Sequence, residues 1–203
     1  MQKTKFLSDD RYIIAKGNER VCYQDPNDNT KVIKVTHTKK RGQNELEEAY
    51  YKYLIAKKRD FSHIAKYIRS ININGEKALV FEKILNYDNS PSITFAKALK
   101  EKKINISQAK SLLNELKNYL FSNKILFIDV DLENIMLREY KKNHFKLVII
   151  DGLGGRRKNW KFFLYLHLPF YTYYKIKKQY KKLLDKFYTF IKEENLIEPS
   201  DKL

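Results

Sequence analysis

The sequence predicts an α+β protein made of two unlike parts: an antiparallel sheet with one helix over residues 1–85, then a mainly helical part over 86–203. Three observations predict it. Short β-rich runs separated by turn residues dominate the first part. A long segment with apolar residues at helical spacing stands in the second. Between them, NYDNSPSIT at 86–94 has the composition of a loop.

The elements follow in order. RYIIA at 11–15, VCYQ at 21–24 and KVIKV at 31–35 read as three strands of an antiparallel meander, with DPNDNT at 25–30 as a hydrophilic turn. After the basic loop HTKKRGQ, a helix is expected over 44–57. Leu46, Ala49, Tyr50, Tyr53 and Leu54 mark its apolar face, and Asn44 is placed to cap it. HIAKYIRSININ and EKALVFEKI read as two more strands around an Asn74-Gly75 hairpin turn. Beyond the loop, two helices are expected. The clearer one begins near Ser107, with Ala109, Leu112, Leu113, Leu116, Tyr119 and Leu120 as a core-facing stripe. NIML at 134–137 and KLVIID at 146–151 read as a strand pair, and 152–203 as two or three helices.

Composition narrows the function classes. The chain is 43% hydrophobic and 32% charged, with 6 Gly and 4 Pro, which excludes disordered and collagen-like classes. A lone cysteine, Cys22, excludes a scaffold stapled by internal disulfides. No window of 18 uncharged apolar residues occurs, and MQKTKFLSDDRY does not read as a signal peptide. A cytoplasmic location is expected. The formal net charge of +17 attracts anions: nucleotides, phosphates or an acidic membrane face.

Against that positive background, FIDVDLENIML at 127–137 concentrates Asp129, Asp131, Glu133 and Asn134 between apolar runs. Unpaired carboxylates in such a setting are costly, so the cluster calls for a chemical reason. Asp129 and Asn134 stand five apart, and IIDGLG supplies Asp151 followed by Gly152. Before them come Lys34 on the third strand and Glu45, Glu47 and Glu48 on the following helix. This order resembles the protein-kinase-like fold in a minimal two-lobed form. The resemblance implies that Asp129 accepts the proton of an acceptor hydroxyl, and that Asn134 and Asp151 bind Mg²⁺ through hard oxygens. It further implies that Lys34 pairs with the phosphates of ATP, with Glu47 as the chosen helix partner and Glu45 and Glu48 still open. Gly17 in AKGNERVCY stands where a glycine-rich loop belongs, and phosphate contact can pass to Arg20 or to backbone N–H groups. Phe81 to Ile84 (FEKI) takes the place of the adenine hinge, which makes Glu82 and Ile84 nucleotide-binding candidates.

More narrowly, the chain resembles the YrbL family, the PhoP-regulatory-network proteins of bacteria. The segments that carry this likeness are KGNERVCYQDP, EEAYYKYL, PSIT at 91–94, LKNYLFSNKI at 116–125, LENIML, and IIDGLGG with Trp160. Some positions depart from the kinase pattern. Phe127 and Ile128 replace the usual His and Arg before the catalytic Asp. Asp131 replaces a Lys or His and reverses the charge there. The 52 residues after Asp151 are few for an activation segment and peptide-binding helices.

The resemblance thus implies an ATP- and Mg²⁺-dependent phosphotransferase acting on a hydroxyl. Candidate acceptors are a protein, a lipopolysaccharide-core sugar or a small molecule. The alternative is a catalytically weak or inactive regulatory binding protein, favoured by Asp131 and by the single loop glycine. The basic aromatic stretch RRKNWKFFLYLHLPFYTYYKIKKQYKKLL is expected to fill a small C-terminal core with its rings and to face water with its Lys residues. Peripheral contact with an anionic inner membrane ranks next and nucleic acid last. His167 reads as structural.

Overall fold

The computed structural model describes residues 5–17, 19–37, 42–155, 164 and 168–196. Trp160 and His167 lie outside the described residues. The architecture is α+β with two antiparallel sheets and several helices. The chain divides into two compact units, Met1–Phe61 with Ala65–Ile84, and Ser62–Ile64 with Leu85–Leu203.

The first unit is a five-stranded sheet in the order β1-β2-β3-β5-β4, antiparallel throughout. Its strands are β1 (Ile13–Lys16), β2 (Arg20–Gln24), β3 (Lys31–Thr36), β4 (Tyr67–Ile73) and β5 (Glu76–Glu82). The predicted meander opens one turn late. Asp10–Tyr12 forms a 3-10 turn because the Asp9 side chain accepts the Arg11 N–H at 3.1 Å. Asn74 and Gly75 both take positive φ (52° and 82°), as a tight hairpin turn matched to strand twist requires. One face of the sheet buries Phe6, Val21, Tyr23, Ile33, Ile73, Ala78 and Val80 together.

Helix α1 (Gln43–Ala56) serves the opposite face, where Tyr51 meets the Phe81 ring edge-on at 5.1 Å. Each buried aliphatic or aromatic side chain contributes about 1.5–3 kcal/mol. The expected α1 face needs correction. Leu46, Tyr50, Tyr51 and Leu54 are buried, but Ala49 is exposed, and Glu47 and Glu48 are buried in its place. Asn44 does not cap the helix. Gly42 occupies the N-cap, and the Asn44 amide donates to the Lys77 carbonyl at 2.7 Å.

The second unit contains α2 (Phe95–Lys100), α3 (Ile106–Asn123), α4 (Pro169–Glu193) and a three-stranded sheet in the order β6-β7-β8. Its strands are β6 (Ile93–Thr94), β7 (Ile135–Lys141) and β8 (His144–Ile149). PSIT has a structural role here. The Ser92 hydroxyl donates to Asn86 Oδ1 at 2.8 Å, β6 pairs with β7, and the Thr94 side chain caps α2. The α3 cap is Asn105 rather than Ser107, in a reciprocal capping box with Gln108. His63 and Ile64, expected to begin a strand of the first sheet, belong to this unit. The Ile149 N–H donates to the His63 carbonyl at 2.9 Å.

Candidate functional site

In the first unit, strand parity decides which side chains meet α1. Val21, Tyr23 and Ile33 enter the core cluster, so Arg20 and Lys34 project from the other face. There Lys34 Nζ donates to Glu47 Oε1 at 2.9 Å and lies 4.5 Å from the Phe81 ring centroid. The Arg20 guanidinium takes the other oxygen of the same carboxylate, Oε2, and also donates to Asn44 Oδ1 at 3.2 Å. All four residues are buried, so two cations share one carboxylate at low exposure.

The three helix glutamates have different fates. Glu45 is exposed. Glu48 pairs with Lys77 at 2.7 Å and Lys52 at 2.9 Å and accepts from the Tyr67 hydroxyl at 3.0 Å. Burial pushes the Glu48 carboxyl up, but hydrogen bonds from Lys77, Lys52 and Tyr67 outweigh it and hold the pKa at about 2.

The other nucleotide candidates in this unit have local roles. The Gly17 N–H donates to the Arg20 carbonyl at 2.8 Å across the β1–β2 turn. Glu82 Oε1 accepts the Lys66 N–H at 3.0 Å, and Ile84 is buried. Arg20, a candidate for phosphate contact alongside backbone N–H groups, is directed at Glu47 and Asn44.

In the second unit, two segments far apart in sequence are locked together by backbone. The Gly152 carbonyl accepts N–H groups from both Ile128 (2.8 Å) and Asp129 (3.0 Å). Gly152 has φ +80°, and a Cβ there would sit 2.7 Å from the Asp129 carbonyl oxygen, so the approach admits only glycine. Phe127 and Leu153 pair as an antiparallel bridge. The Asn134 amide donates to the Asp129 carbonyl at 2.9 Å, and the Asn134 carbonyl accepts the Ile150 N–H at 2.9 Å. Asp151 Oδ1 accepts the Gly152 N–H at 2.7 Å. Asp129, Asn134 and Asp151 are thereby drawn to one place, with Asp129 exposed and the other two half-buried.

Because the Asn134 amide nitrogen is committed to the Asp129 carbonyl, the hard acceptor this side chain offers is its Oδ1, and Asp151 offers a carboxylate. That donor pair fits a cation otherwise held by phosphate and water. Among the described residues, no three His, Cys, Asp or Glu side chains gather as a metal cluster.

Helix α4 braces this loop at two points that spacing along the chain did not reveal. Gln179 donates to the Ile128 carbonyl at 2.9 Å, and two turns later Lys186 pairs with Asp131 Oδ2. Asp131 Oδ1 accepts the Glu133 N–H at 3.1 Å. Burial raises the Asp131 carboxyl, but the Lys186 ammonium and the backbone N–H groups bring its pKa below the ordinary carboxylate value. The acid that reverses charge beside Asp129 is therefore offset by a Lys 55 residues away.

Comparison with known proteins establishes descent. The chain is 28% identical over 146 residues to "Uncharacterized protein YrbL" of Escherichia coli (strain K12), covering 70% of each protein. The protein of the same name from Shigella flexneri matches to the same extent. The family described as PhoP regulatory network protein YrbL matches residues 6–188, most of the chain. The chain belongs to the family of PhoP regulatory network protein YrbL.

Proposed function

We propose that this chain is an ATP- and Mg²⁺-dependent phosphotransferase of minimal two-lobed protein-kinase-like fold, acting on a hydroxyl of its acceptor. The observation that carries the reading is the lock of Asp151-Gly152 onto the Asp129 backbone, with the Asn134 amide on the Asp129 carbonyl. Phosphoryl transfer needs positioning and charge neutralisation more than covalent chemistry, and a rigid cluster of a base with hard oxygen donors suits that need.

Each residue then has a task. Asp129 accepts the proton of the acceptor hydroxyl as that oxygen bonds to the γ-phosphorus. The bond from the γ-phosphorus to its bridging oxygen breaks, and the electron pair leaves with ADP. Asn134 and Asp151 would hold Mg²⁺, which supplies charge neutralisation for the phosphates. In the first unit Lys34 would pair with phosphate, and Glu47, held from its other side by Arg20, sets the Lys34 ammonium in position. Arg20 thus acts through Glu47 rather than on phosphate. Lys186 cancels the Asp131 charge that would otherwise repel a polyanionic substrate from Asp129.

Calorimetric titration and transfer of labelled γ-phosphate into cell extract test this reading. Asp129→Ala removes transfer and leaves ATP binding, whereas Asp151→Ala weakens Mg-dependent ATP binding. The molecular class that carries the label separates protein, lipopolysaccharide-core sugar and small-molecule acceptors. Absence of Mg-dependent ATP binding by the wild-type protein overturns the proposal. A biological effect indifferent to Asp129→Asn assigns a regulatory binding role instead.

A further inference from the structure

Helix α4 has a core face and a water face of opposite character. Thr172, Ile176, Gln179, Leu183, Phe187 and Ile191 are buried. On the other side, Phe170, Tyr174, Lys177, Lys178 and Lys181 recur at i, i+4, i+7, i+8 and i+11, which places them on one helix face. The first turns expose large rings: Phe170 is 78% exposed, Tyr173 59%, Tyr174 57% and Tyr171 44%. The next two turns expose Lys177, Lys178, Lys181 and Lys182. The sequence led us to expect these rings inside a small core. Phe187 does lie there, stacked on Phe95 with ring centroids 6.1 Å apart, but the rings of the first turns do not. Clustered apolar rings in water mark an interaction surface.

We propose that this face docks on the headgroup region of an anionic membrane, with the rings at the headgroup–acyl boundary and the Lys ammonium groups on lipid phosphates. Aromatic rings, and tyrosine in particular, suit that boundary because one end is apolar and the other wet. Lysines suit it because an anionic leaflet attracts basic residues. The segregation of rings and lysines along the helix decides the occupant. A single-stranded nucleic acid calls for rings interleaved with cations along a groove. A second copy of this chain would bring two faces of the same positive charge together. Asp185 continues the same face beyond Lys182, so the contact ends there.

Co-sedimentation of the full chain with vesicles tests this directly. Binding is expected to vesicles of phosphatidylcholine with phosphatidylglycerol, to weaken as salt rises, and to be absent on phosphatidylcholine alone. The triple variant Lys177→Gln, Lys178→Gln, Lys181→Gln is expected to bind about 100-fold more weakly. Phe170→Ala with Tyr174→Ala is expected to lose about tenfold or more. Both variants should keep the wild-type melting temperature, because none of these side chains is buried. Equal binding to neutral vesicles, no binding to anionic ones, or wild-type binding by both variants overturns the proposal. Loss in these variants of a dimer or of oligonucleotide binding, without vesicle binding, reassigns the face and also overturns it.

Discussion

Replacing Gly152 with alanine probes the fold and the candidate site in one step. Gly152 sits at φ +80°, and an added Cβ would lie 2.7 Å from the Asp129 carbonyl oxygen and 3.0 Å from the Asp129 Cβ. Ordinary contact begins at 3.4 Å, so the two segments must part by about 0.7 Å. The left-handed backbone alone costs an L-residue about 1–2 kcal/mol. The forced separation adds to this and stretches the hydrogen bonds from Ile128 and Asp129 to the Gly152 carbonyl. A total near 2–3 kcal/mol is expected, which lowers the melting temperature of a chain this size by roughly 4–12 °C. A shift approaching 1 Å at a reacting group costs about 100-fold in rate. Thermal denaturation and labelled-phosphate transfer, run side by side, read both effects. A variant that melts as the wild type does refutes the steric argument. A variant that melts lower but transfers phosphate at the wild-type rate refutes the role given to Asp129.

Three further outcomes are expected. Glu47→Ala leaves Arg20 and Lys34 buried without the carboxylate they share, at a cost of about 3–5 kcal/mol in chemical denaturation, well above an exposed-surface change. Lys186→Met leaves Asp131 uncompensated, so transfer should fall and ATP affinity relative to adenosine should drop. Adding Asp131→Asn should restore both, and failure of the double variant to recover refutes charge cancellation. Glu48 has its pKa depressed from 4.5 to about 2, so its stabilisation is fully present above about pH 4.5 and is lost as pH falls toward 2. Roughly 3 kcal/mol should disappear over that window in the wild type, and Glu48→Gln should flatten the dependence.

Much of the element order was legible because it rests on local periodicity and turn chemistry. The alternation of KVIKV, the Asn74-Gly75 turn and the apolar stripe of α3 each specify an element with little help from the rest of the chain. The errors fell where a side chain had a distant partner to choose. Asn44 looked like a helix cap, yet it is buried between Arg20 and the Lys77 carbonyl, and Gly42 takes the cap. Ala49 was assigned to the apolar face of α1, but buried Glu47 and Glu48 displace it because β-strand cations compensate their charge. Nothing in KGNERVCY reveals that strand parity aims Arg20 at Glu47.

The sequence by itself determined the α+β succession and the family, because spacing along a chain records local geometry and turn chemistry. Tertiary structure alone decided which of three glutamates meets Lys34, that Gly152 must be glycine to lie against Asp129, and that Lys186 answers Asp131. Such pairings depend on backbone approach and charge compensation between segments tens of residues apart, and a linear pattern carries no trace of them.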